Sequence, residues 1–148
     1  MQSLKKKTEG FTIIEVMIVL VIAAVIILIV FLAVPALQRN SRNNQRKNDA
    51  ARMSAAVSEF ANNASGVLPT TYAEVGSYAG SLGFYTLPSG SLATTDQAAV
   101  TNADTIVIAR SSSCTGAMGS DDVGTDRQFA VLYAVETSGT PVSQCIQG

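Results

Sequence analysis

The 148-residue chain has no histidine and no tryptophan, and it holds only two cysteines and four prolines. Without histidine it lacks the usual general base near neutral pH and the commonest metal ligand. Its cysteines, Cys114 and Cys145, therefore have no imidazole to activate them. No glycine-rich loop ending in lysine is present to cradle a phosphate. These absences leave no catalytic constellation, so the chain reads as a non-enzyme without a cofactor, and a membrane-anchored enzyme or receptor is set aside. Charge is scarce as well: Asp, Glu, Lys and Arg make up 14% of residues, and none falls between positions 16 and 34.

That uncharged stretch is the dominant feature of the chain. Every residue from Val16 to Val34 is apolar, enough for a helix about 28 Å long, close to the hydrocarbon thickness of a bilayer. One carboxylate, Glu15, sits at its amino-terminal edge, preceded by Gly10 and the cluster Lys5, Lys6 and Lys7. A simple anchor has no use for a carboxylate there, where an unpaired charge costs about 2.5–3.5 kcal/mol if it sits deep. The segment therefore serves lipid and also a second environment in which Glu15 finds a partner.

The order Lys7-Thr8-Glu9-Gly10-Phe11-Thr12-Ile13-Ile14-Glu15, running directly into the apolar stretch, resembles the class III signal of type IV pilins and pseudopilins. The resemblance implies cleavage by prepilin peptidase between Gly10 and Phe11, N-methylation of Phe11, and an assembly role for Glu15 and Thr12. It implies a single-pass precursor in the inner (cytoplasmic) membrane with its amino terminus in the cytoplasm, later an extracellular fibre. The partners implied are further copies of the chain, an inner-membrane assembly platform and its motor ATPases, and surfaces or host cells. An ordinary secretory signal is excluded because the apolar region follows the cleavage point instead of preceding it. The domain plan is a leader over 1–10, a transmembrane and assembly helix over 11–37, an amphipathic stalk helix over 38–66 and a head over 67–148.

The net charge of −1 hides a strong division. Residues 38–66 carry Arg39, Arg42, Arg46, Lys47 and Arg52 against Asp49 and Glu59, whereas residues 67–148 carry Arg110 and Arg127 against seven acids. A basic stalk and an acidic head favour lateral packing of copies, and a basic stretch beside a membrane attracts anionic headgroups. Arg39, Arg42 and Arg46 share a helix face, read as a solvated or headgroup-contacting stripe, with weak DNA contact as the alternative. Met53, Val57, Phe60, Ala61 and Ala64 form an apolar stripe that faces the head. Pro35 bends or loosens the helix, and Gly66 ends it.

The expected fold is α+β: a long amino-terminal helix whose first half spans the membrane and whose second half packs on a small antiparallel sheet. Residues 67–104 read as a long connection, with Tyr72, Tyr78, Phe84 and Tyr85 as packing anchors. Strands are expected over 105–110, 128–136 and 142–147, the middle one covered on both faces. An even cysteine pair in an exported head reads as a disulfide between Cys114 and Cys145; two buried free thiols are the alternative. Asp121, Asp122 and Asp126 are weak calcium candidates in a region where some pseudopilins hold that ion, although their spacing fits no EF-hand and a solvated acidic loop is the simpler reading. The function this implies is that of a structural subunit of a type IV pilus, serving adhesion, twitching motility or DNA uptake. The alternative is a pseudopilin of a type II secretion or competence system.

Overall fold

The computed structural model describes residues 10–94, 100, 102–115 and 120–148. They fall into two compact units, Met1–Gln38 and Arg39–Gly148, with helix α1, Ile13–Asn63, contributing to both. In the first unit every described side chain from 11 to 38 is exposed. With so few polar side chains available, only internal hydrogen bonding can satisfy this backbone in an apolar medium, which is why the segment is helical despite its many β-branched residues. The helix runs uninterrupted through Pro35, whose fixed φ suits a helix even though one donor is lost.

In the second unit α1 buries Arg46, Asp49, Ala50, Met53, Ala56 and Val57, a run at helical period that faces the sheet. The expected stripe is present at Met53 and Val57, with Phe60, Ala61 and Ala64 half-buried. It also continues backwards into two charged residues, Asp49 and Arg46. The helix closes where the Gly66 N–H donates to Ala61 O (2.7 Å) while Ser65 and Gly66 take positive φ of 57° and 88°. Glycine accepts that conformation without strain. The last turn of α1 holds no basic residue, and the Arg127 guanidinium lies over Gly66, a cation at the negative end of the helix.

Residues 67–104 are more regular than the expected connection. Helix α2, Tyr72–Ala79, starts at a capping box in which Thr71 and Glu74 bind each other's backbone N–H, and it stops at Gly80, φ 65°. Thr71-x-x-Glu74 is an N-terminal signal that the abundance of small residues around it obscured. A short strand β1, Ala93–Thr94, then pairs in parallel with β2, Ile106–Arg110.

The main sheet has the order β1-β2-β5-β6, its antiparallel part built from β2, β5 (Phe129–Val135) and β6 (Val142–Gln147). Its register sets Ile106 opposite Tyr133 and Leu132 opposite Cys145. Strand β5 is covered on both faces. Phe129, Val131 and Tyr133 join the core with Met53, Val57, Tyr72 and Val75, while Leu132 and Ala134 join Val100 and Ala109 on the other side. A second, two-stranded sheet pairs β3, Ser112–Thr115, with β4, Ser120–Val123. Cys114 in β3 and Cys145 in β6 form a disulfide with their Cα atoms 5.8 Å apart. The expected acidic loop is thus partly strand: Asp121 and Asp122 lie in β4.

Candidate processing and assembly site

Gly10, Phe11 and Thr12 precede the helix, which begins at Ile13. Thr12 caps it. The Thr12 N–H donates to Glu15 Oε2 at 2.9 Å and the Thr12 hydroxyl donates to the same oxygen at 2.8 Å. The Glu15 N–H points back at Thr12 Oγ1, 3.4 Å away, completing the reciprocal pattern of a capping box. Threonine and glutamate three residues apart perform this task twice in the chain, here and at Thr71 and Glu74. One oxygen of Glu15 is thus already engaged within its own chain. Its other oxygen, Oε1, accepts no hydrogen bond among the described residues.

Phe11 is 89% exposed and Phe31 75%. A Cβ added at Gly10 would meet nothing within 4 Å, so no packing among the described residues demands glycine there. The apolar helix reaches a mean hydropathy of 3.6 over its most apolar window, none of it buried, long and apolar enough to cross a membrane by length and composition. An exposed surface of this extent calls for lipid or protein to cover it.

The basic stalk is organised differently from the expected solvated stripe. Arg46 is 1% exposed. Its NH2 lies 2.6 Å from Glu136 Oε1 and 3.4 Å from Asp104 Oδ1, and its guanidinium sits 4.2 Å from the centroid of the Phe84 ring. Burial of a cation is costly unless it is paired, and two carboxylates and an aromatic face supply that pairing. Arg42 grips Glu136 Oε2 at 2.6 Å with NH2 and at 3.2 Å with Nε. Asn43 clamps the Glu136 backbone, donating to its C=O and accepting from its N–H, each at 2.8 Å. Hydrogen bonds from Arg42 and then Arg46 hold the Glu136 carboxyl down at about 2, against a smaller opposing effect of burial; the same contact raises Arg42. Much of the stalk's positive charge is thus spent within the chain, and Arg46 is unavailable to DNA or headgroups.

Asp49, 2% exposed, accepts from the backbone N–H groups of Gly83 (2.9 Å), Phe84 (2.6 Å) and Tyr85 (3.0 Å). Asn43, Asp49 and Glu136 escaped the sequence reading. Asp49 and Arg46 carried a signal all the same, since they continue the Met53 stripe by four and seven residues. Of the calcium candidates, Asp126 is exposed and the side chains of Asp121 and Asp122 lie outside the described residues. Among the described residues no three metal-binding side chains converge.

One family model, the prokaryotic N-terminal methylation motif, matches residues 5–31. Its span contains Gly10, Phe11, Thr12, Glu15 and much of the exposed apolar helix. Neither the curated proteins nor the solved structures contain a match.

Proposed function

We infer that this chain, a prepilin-type substrate by its methylation motif, is a structural subunit of a type IV pilus. The observation that carries the reading is the motif over residues 5–31 set against the first part of α1, which is apolar from Val16 to Val34 and exposed from Ile13 to Gln38. Prepilin peptidase removes residues 1–10 and Phe11 is N-methylated. The helix holds the subunit in the inner membrane, its amino terminus cytoplasmic, until the assembly platform and motor ATPases transfer it to a fibre of further copies. Helix-to-helix packing then covers the surface that lipid covered before. The disulfide supports a pilin over a pseudopilin, because an exposed fibre subunit gains from a covalent tie between β3 and β6. Adhesion, twitching or DNA uptake are the fibre's uses under this reading.

Cleavage creates an ammonium on Phe11, four residues before Glu15. Glu15 Oε2 is held by Thr12, which leaves Oε1 to accept the ammonium of a neighbouring copy. In an apolar fibre core, leaving either charge unpaired costs about 3–5 kcal/mol, so subunits out of register are rejected. Glu15→Leu is expected to insert in the membrane and be cut, yet to enter fibres poorly. Normal fibre yield from a strain expressing only Glu15→Leu contradicts the reading.

A further inference from the structure

We propose that Thr12 is a positioning residue for cleavage: its cap stops α1 at Ile13 and keeps the Gly10–Phe11 peptide bond outside the helix. The proposal rests on the reading that the chain is cut at that bond. Hydrolysis breaks the bond between the Gly10 carbonyl carbon and the Phe11 nitrogen. The oxygen of water adds to that carbon and both of its protons end on the nitrogen, leaving a carboxylate on the leader and an ammonium on Phe11. The attack needs an accessible Gly10 carbonyl. In a helix continued upstream, that oxygen would instead accept from the N–H of Ile14 and be shielded by the surrounding turn.

Nothing in the composition alone forbids such a continuation. Thr8 followed by Glu9 is a serviceable helix start, with a capping hydroxyl and an acid in the first turn. Apolar surroundings also favour any arrangement that pairs backbone N–H groups internally. Two features oppose it. Gly10 is a poor helix former, and Thr12 with Glu15 satisfies the helix end one residue before Ile13. In the structure Gly10, Phe11 and Thr12 are accordingly non-helical. Removing the cap leaves donors unsatisfied in an apolar medium, and re-capping at Thr8 restores them at the expense of the open bond.

The test uses the full-length precursor in detergent micelles with a prepilin peptidase, comparing steady-state cleavage of the wild type, Thr12→Ala, Thr12→Ser and Thr12→Asp. A helix drawn over the bond lowers the competent fraction of substrate. The open-to-closed equilibrium shifts about five-fold in Thr12→Ala, the weight of one N-cap, so KM rises by at most that factor while kcat is unchanged. Serine and aspartate both cap helices and restore the wild-type KM. An unchanged or lower KM for Thr12→Ala overturns the proposal. So does failure of Thr12→Asp alongside rescue by Thr12→Ser, which would mean that the peptidase reads the hydroxyl itself. A wild-type precursor that stays intact overturns the prepilin reading and the proposal with it.

Discussion

Replacing Asp49 by alanine removes one buried carboxylate and the three hydrogen bonds that tether residues 83–85 to α1. The Tyr85 N–H lies in the core, whereas those of Gly83 and Phe84 are partly reached by water. One fully orphaned donor costs about 1–3 kcal/mol and two partly wetted ones less, so the loss is about 3 kcal/mol in all. For a unit of this size that lowers Tm by roughly 10–20 °C. Asp49→Asn separates the hydrogen bonds from the volume. Oδ2 accepts from both Phe84 and Tyr85 while Oδ1 accepts only from Gly83, so an asparagine with its oxygen in place of Oδ2 keeps two bonds of three. Its expected cost is about 1 kcal/mol. Thermal unfolding of a fragment comprising Arg39–Gly148, followed by circular dichroism, reads both variants. An alanine variant melting within about 3 °C of the parent, or an asparagine variant as unstable as alanine, refutes the reasoning.

Glu136 makes the fold acid-sensitive. Its carboxyl titrates at about 2 in the folded chain against an ordinary 4.5, so its stabilisation is complete above about pH 4.5 and is lost as pH falls towards 2. Glu136→Gln should flatten the stability profile across that window, and denaturant melts at a series of pH values would show a parallel profile if the pairing contributes nothing. Changing Cys114 and Cys145 together to serine opens a loop of sequence separation 31, with an expected loss of about 3.5–4 kcal/mol by chain entropy. An unchanged melting curve, or two alkylatable thiols in the unreduced parent, removes the disulfide from the account.

How legible the molecule was in its sequence depended on the kind of signal. The run from Val16 to Val34 is apolar at every position, and Phe129–Val135 is β-branched, aromatic and apolar on both faces, so length separates the first as a helix and residue type the second as a strand. Strand β6 matched its expected bounds because β-branched and apolar residues there are framed by turn formers. Helix α2 is short and half of its residues are Ala, Gly or Ser, so the Thr71 and Glu74 pair is its clearest mark in the sequence. The hairpin of β3 and β4 was missed because Ser, Asp and Thr dominate it, and its place is set by Cys145 across the chain. At the candidate site the residue types were legible but their pairing was not. Arg46 looks like a surface cation until Glu136, 90 residues away, is folded against it. Glu15 is also bound by Thr12, three residues earlier, which supplies two donors that the apolar setting of the segment gave no reason to look for.

The central claim is that residues 1–10 are removed and the remainder polymerises through its bare helix. Mass analysis of the amino-terminal peptide from filaments sheared off the cell surface tests it most directly. The account expects a peptide that begins with N-methylated Phe11 and continues Thr12-Ile13-Ile14-Glu15. Filaments whose subunits retain residues 1–10, or that lack this chain altogether while the uncut precursor stays in the membrane, would contradict it.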